Sequence, residues 1–171
     1  KYHSLFVEIT GELYTPNTTQ HKDFLKNLTS IGSLNVFNAT QHKDFLRNLT
    51  SLGGLYTYNT TQHKDFLKNL TSLDGLDTSH AIQHPEFLRN HTSIEYLNTS
   101  DITQHKDFLK NINSIGRFYT SHTTQHKDFL RNLTSIGILD TSCAIQHPES
   151  LRNLKTLNKL EETNNESSTR I

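Results

Sequence analysis

The sequence predicts an α/β solenoid, with one short parallel strand and one short helical or 3₁₀ segment per unit. Three observations carry this. The segment Gln-His-Lys-Asp-Phe-Leu-Lys/Arg-Asn-Leu-Thr-Ser-Ile/Leu, with a few substitutions, occurs seven times, beginning at Gln20, Gln41, Gln62, Gln83, Gln104, Gln125 and Gln146. Successive copies start 21 residues apart (41 − 20 = 21) without insertion or deletion. A period of about 20–50 residues marks a stack in which each unit buries its apolar face only against its neighbours. Finally, only 32% of the 171 residues are apolar, too few for an ordinary globule at roughly 45–50% but enough for a core one side chain thick.

Residues 1–12 keep an apolar character (Leu5, Phe6, Val7, Ile9) without the motif and read as an N-terminal cap. Residues 13–160 hold about seven repeats, and residues 161–171 read as a disordered polar tail. The absence of methionine, even at position 1, reads as a processed or excised piece.

Within a unit, Thr40 is a candidate N-cap and Asp23 suits a first helical turn. Phe24, Leu25, Leu28 and Ile31 fall at i, i+1, i+4 and i+7, one helical face. Pro85 and Pro148 replace the lysine in two units, and proline is tolerated in a first turn. Gly32, Gly53, Gly116 and Gly137 are expected to stop the helix; Asp74, Glu95 and Asn158 fill that column elsewhere. The alternating runs that follow, such as Leu34-Asn35-Val36 and Leu55-Tyr56-Thr57, predict strands centred on residues 14, 35, 56, 77, 98, 119 and 140.

These residues carry a resemblance. Ile31-x-x-Leu34-x-Val36, Leu73-x-x-Leu76-x-Thr78 and the longer run Leu46-x-x-Leu49-x-x-Leu52-x-x-Leu55 are similar to the leucine-rich repeat, in its short, internalin-like subclass, over about residues 9–163. The third strand leucine is usually Thr here (Thr57, Thr78, Thr99, Thr120, Thr141). The family's asparagine-ladder column is Thr18, Ala39, Thr60, Ala81, Ile102, Thr123, Ala144. The turn hydrogen bonds are therefore expected from neighbouring Thr and Gln columns. The resemblance implies a concave face formed by the parallel sheet and a convex face formed by the short helical or 3₁₀ segments.

Seventeen basic and seventeen acidic residues cancel, leaving no electrostatic footprint for nucleic acid. No stretch approaches the roughly 20 apolar residues of a membrane span. No phosphate loop, nucleophile elbow or zinc-finger spacing occurs, so the chain reads as a non-enzyme without a cofactor. The column His21, His42, His63, His84, His105, His126, His147 forms a ladder, and a ladder does not converge on a metal. Its expected role is structural, bonding a backbone carbonyl or the adjacent Asp, with acid sensitivity as a consequence. The Thr29-Ser30 type columns offer a hydroxyl array, as ice-binding solenoids do, but fall in the helical segment. Cys143, the only cysteine, reads as a small buried hydrophobe. Ten Asn-X-Ser/Thr sequons, at Asn17, Asn27, Asn38, Asn48, Asn59, Asn69, Asn90, Asn98, Asn132 and Asn165, follow from duplicating an Asn- and Thr-rich unit, and tilt the expected location towards secretion or the cell surface.

The motif columns barely change between units, whereas the columns facing out of the strands do. Their distinctive members are Phe37, Tyr56, Tyr58, Asp77, Tyr96, Arg117, Tyr119 and Asp140. A varied face on a copied scaffold suits recognition, so the expected function is binding of a protein partner on the concave sheet. The alternative is a structural role in which repeats self-associate or coat a surface.

Overall fold

The computed structural model describes residues 7–161, apart from residues 62, 82, 83, 85 and 143–146. Eight strands occur in chain order: β1 (Glu8–Tyr14), β2 (Ser30–Asn35), β3 (Ser51–Tyr56), β4 (Ser72–Asp77), β5 (Ser93–Asn98), β6 (Ser114–Tyr119), β7 (Ser135–Asp140) and β8 (Thr156–Glu161). They form one parallel sheet in the same order. Equivalent residues of successive units pair, as Ile31↔Leu52, Leu34↔Leu55 and Asn35↔Tyr56 do, so each turn of chain is one rung of a solenoid. Cys143, Gln62, Gln83, Gln146, Pro85 and the tail from residue 162 lie outside the described residues.

The core is a set of inward columns running through the rungs. Ile31, Leu52, Leu73, Ile94, Ile115 and Ile136 form one; Leu34, Leu55, Leu76, Leu97, Phe118 and Leu139 form the next; all are buried. Phe45, Phe66, Phe108 and Phe129 close the opposite side. Their rings stack, with Phe45 and Phe66 centroids 6.1 Å apart and 3° from parallel. Each buried Leu or Ile contributes roughly 1.5–3 kcal/mol.

The helical convex face is not present, which corrects the α/β description. The one helical element among the described residues is a 3₁₀ turn at Pro148–Leu151, where proline opens the segment. Elsewhere the chain crosses that face in two successive tight turns. Phe24 N–H donates to His21 C=O at 3.0 Å and Leu28 N–H to Leu25 C=O at 3.0 Å. Leu25, Leu46 and Leu67 sit between the turns at φ of 50–52°, a left-handed conformation that breaks any helix. Phe and Leu both reach the core because the chain reverses between them, not because they share a helical face. Ile31 belongs to the following strand. The strands accordingly lie upstream of their expected centres: β2 ends at Asn35 and β3 at Tyr56.

The glycine column therefore lies in mid-strand and has a different duty. A Cβ at Gly53 would collide with the carbonyl oxygen of Gly32, and one at Gly137 with that of Gly116. Rungs here approach too closely for side chains. Where Asp74 and Glu95 occupy the column, the ladder opens: β4 and β5 pair only at Gly75↔Tyr96, Leu76↔Leu97 and Asp77↔Asn98. The neighbouring strands pair through the serine as well, as at Ser51↔Ser72 and Ser93↔Ser114.

Side chains link the rungs on the turn face. Asn48 Nδ2 donates to Lys26 C=O at 2.8 Å, Asn69 to Arg47 C=O at 2.8 Å and Asn111 to Arg89 C=O at 2.7 Å. An asparagine ladder exists, but in this column rather than the family's usual one. The expected Thr and Gln contributions are present too. Thr57 Oγ1 donates to Asp77 C=O at 2.9 Å, and Gln104 Nε2 bridges Thr99 and Thr120 hydroxyls at 3.1 and 2.8 Å. Thr50 and Thr71 Oγ1 each donate to the preceding rung at 3.2 Å, so these hydroxyls are engaged in bonding between rungs.

The last rung differs. Leu157 and Leu160 occupy the two inward strand columns yet are 38% and 45% exposed. At the other end β1 carries a bulge between Ile9 and Glu12.

Candidate functional site

The outward strand columns form one continuous surface because parallel pairing keeps equivalent residues side by side. Tyr56, Asp77, Asn98, Tyr119, Asp140 and Glu161 end successive strands β3 to β8. The adjacent column runs Gly54, Gly75, Tyr96, Arg117, Ile138, Lys159. The eight residues expected to form the site separate into two groups.

Tyr56, Asp77, Tyr96, Arg117, Tyr119 and Asp140 lie on the sheet face. Tyr56 is 43% exposed, and its ring covers Gly54, Cε2 standing 3.2 Å from where a Cβ would be. Tyr96 stands beside Gly75 on the next strand and meets Tyr119 with ring centroids 5.4 Å apart. Asp77 Oδ1 accepts from Ser79 N–H at 2.9 Å and Ser79 Oγ at 2.6 Å, while its Oδ2 accepts from Asn98 Nδ2 at 3.1 Å. Burial raises the Tyr96 phenol pKa, and the negative charge of Asp77 adds to it, followed by Tyr119 and Tyr56. Asp140 repeats the Asp77 arrangement, accepting from Ser142 N–H at 3.1 Å and Oγ at 2.7 Å. Arg117 is exposed one strand beyond Tyr96.

Phe37 and Tyr58 are placed differently. They follow the strands, in the turns after β2 and β3, and stack at 5.2 Å on the rim of the sheet. The stack continues edge-on to His80, 4.8 Å from Tyr58. Beside it runs a side-chain ladder in left-handed turn positions. Asn38 Nδ2 donates to Asn17 Oδ1 at 3.2 Å and Asn59 to Asn38 at 2.6 Å. The column continues as His80, Asp101 and His122, with His80 Nε2 3.4 Å and His122 Nδ1 3.9 Å from different oxygens of Asp101. Phe37 and Tyr58 are among the residues the sequence marks for the site; the Asn, His and Asp turn column beside them is not, although those residue types at one column are its available signal.

The histidine column sits on the exposed turn face. His21, His42, His63, His105 and His126 Nδ1 accept the backbone N–H of the Asp two residues on, at 3.1–3.2 Å. The ring nitrogen is thus an acceptor, not a donor to a carbonyl, and holds a tight turn. Among the described residues no group of three or more His, Cys, Asp or Glu is placed to hold a metal ion. No helix there is long and apolar enough to cross a membrane. The sequons at Asn48, Asn69, Asn90 and Asn132 use their amide nitrogen to bond the preceding rung.

Another residue passed unnoticed in the sequence. His91 stands in the inward column otherwise filled by Leu28, Leu49, Leu70, Ile112 and Leu133. It is 5% exposed, and neither ring nitrogen has a hydrogen-bond partner. Burial lowers its pKa below 6.5. It immediately precedes β5, at the rung where the ladder is open.

Set beside known proteins, the chain has no match among family models, curated proteins or solved structures. What is established is a parallel-sheet solenoid with a 21-residue spacing.

Proposed function

We propose that this chain is a non-enzymatic recognition module of leucine-rich-repeat type that binds a protein partner through its concave sheet. The observation that carries this reading is the division of labour between the two faces. Side chains on the turn face are consumed in rung-to-rung hydrogen bonds, while the sheet face presents exposed tyrosines, Tyr56 at 43% with Tyr58 at 40% on its rim. Aromatics and arginine dominate interface hot spots, at about 2 kcal/mol or more on truncation. The test uses Tyr56→Ala with Tyr58→Ala against a control changing Lys26, Lys68 and Lys110 to Ala on the turn face. A partner identified with the intact chain and reconstituted from purified components should be lost with the first pair and kept with the second. The opposite pattern would overturn the assignment.

The second reading, end-to-end assembly, is favoured by one observation. The exposed Leu157 and Leu160 would meet Ile9 and Leu13 of a second copy in the register that β1 uses with β2. Lys159 would then stand opposite Glu12. Replacing Leu157 and Leu160 by Lys should convert any oligomer seen by light scattering to monomer; a monomeric intact chain at high concentration would end this reading.

A further inference from the structure

The sheet face carries a repeated device. Tyr56 and Asp77 are in-register neighbours on β3 and β4, and Tyr119 and Asp140 are in-register neighbours on β6 and β7. In both pairs the carboxylate is fixed from beneath by a serine two residues on, Ser79 or Ser142. Among the described residues, no Lys, Arg or His lies within ion-pair distance of either carboxylate, a property they share with Glu8, Glu12, Asp74 and Glu95, whereas the other nine described carboxylates have such a partner. Each pair therefore combines an aromatic ring with a positioned carboxylate whose charge no neighbour offsets. The ring faces attract cations as well. Three rungs separate the pairs, about 14 Å at about 4.8 Å per rung.

We propose that these two Tyr–Asp pairs are receptors for two basic side chains of a partner segment running along the solenoid axis. This rests on the concave-face reading above and names its occupant. An extended chain rises about 3.3 Å per residue, so the two basic residues stand about four apart. Only β5 lies between the pairs; Arg117 stands on β6, the strand of Tyr119, beside Tyr96 of β5. The segment recognised thus carries two basic residues about four positions apart.

The test titrates the intact chain with a peptide containing Lys-Gly-Glu-Gly-Lys. Calorimetry gives the affinity, and tyrosine fluorescence reports the site, since the chain has six Tyr and no Trp. Asp77→Asn and Asp140→Asn keep an oxygen for the serine donors and should each weaken binding about fivefold, the scale of a partly exposed ion pair. Together they should cost about 25-fold if the sites are independent. A peptide with only the first lysine should lose one of these effects, and 0.5 M salt should weaken the wild-type complex. Equal binding of a lysine-to-glutamine peptide, still abolished by Tyr56→Ala, would overturn the cationic occupant while leaving the concave face as the binding surface. Binding insensitive to Tyr56→Ala and to both Asp variants would overturn both readings. Absence of peptide binding at millimolar concentration would overturn the proposal, as would a tyrosine response to a neutral oligosaccharide in place of the peptide.

Discussion

Replacing His91 by Leu should stabilise this protein, and should do so more strongly as the pH falls. His91 occupies a leucine column with two unpartnered ring nitrogens in a nearly sealed interior. A buried polar group left unpaired costs roughly 1–3 kcal/mol, and leucine at this position carries no such cost. At pH 7.5 the expected gain is therefore about 1–3 kcal/mol, or about 2–4 °C in melting temperature for each kcal/mol at this chain length.

The pH dependence follows from the lowered His91 pKa. In the unfolded chain the imidazole titrates near 6.5. Below that pH the unfolded state takes up a proton that the folded state refuses, so stability falls as pH drops towards the folded-state pKa. One proton corresponds to at most about 1.36 kcal/mol per pH unit, hence up to about 2 kcal/mol between pH 6.5 and 5. Above pH 7.5 the contribution is flat. The other ten histidines are common to both proteins, so the difference between wild type and variant isolates position 91. Urea unfolding followed by circular dichroism at pH 7.5 and 5.0 supplies the four numbers. Parallel pH profiles for the two proteins, or a variant less stable than wild type at pH 7.5, would refute the reasoning.

Three further outcomes follow from the packing. Gly53→Ala should lower stability by about 1–3 kcal/mol, the scale of an overpacked interior, because its methyl meets the Gly32 carbonyl; an unchanged melting temperature would contradict the close approach. Asn69→Ala removes the amide bond to Arg47 C=O and should cost about 0.5–1.5 kcal/mol, read by chemical denaturation. Phe66→Ala, in the middle of the stacked ring column, should cost about 3–5 kcal/mol and, with neighbours coupled only rung to rung, should raise amide exchange most in the adjacent turns.

The period made the solenoid and its sheet legible, because a 21-residue copy cannot bury Phe45, Leu49, Leu52 and Leu55 except against equivalent residues above and below. The turn face was not legible. Phe24, Leu25 and Leu28 carry a helix-like spacing, and the reversal at Leu25 leaves no mark in composition: leucine is rarely chosen for φ near +50°. The glycine column was read as a helix stop because glycine commonly ends helices, whereas its use here is to admit a neighbouring carbonyl. His91 stands outside the regular histidine column, seven residues after its member His84. Its signal was its place in an apolar column, not its residue type. Among the site residues, Tyr56 and Asp77 could be set side by side from the period alone. The separation of Phe37 and Tyr58 onto the rim could not, since it depends on where each strand ends.

The different variability of the two faces has a mechanical cause. In the sheet, rungs are joined by backbone hydrogen bonds, as Val36 N–H to Tyr56 C=O at 3.0 Å and Thr57 N–H to Asp77 C=O at 2.9 Å illustrate. Side chains in the column of Asn35, Tyr56, Asp77 and Tyr119 leave these bonds intact, which is why residues so different can share it. On the turn face, side chains add to the backbone bonds between rungs: Asn amides reach the preceding carbonyl and Thr hydroxyls do the same, with His Nδ1 closing the turn in five units. Substituting one of those residues breaks a rung contact, so the columns tolerate little change between units. A surface free to vary without loss of the stack is a surface on which binding specificity can be built; the outward columns of Tyr56 and Tyr96 meet this condition, and the glycine column beside them, where a Cβ would meet the neighbouring carbonyl, does not.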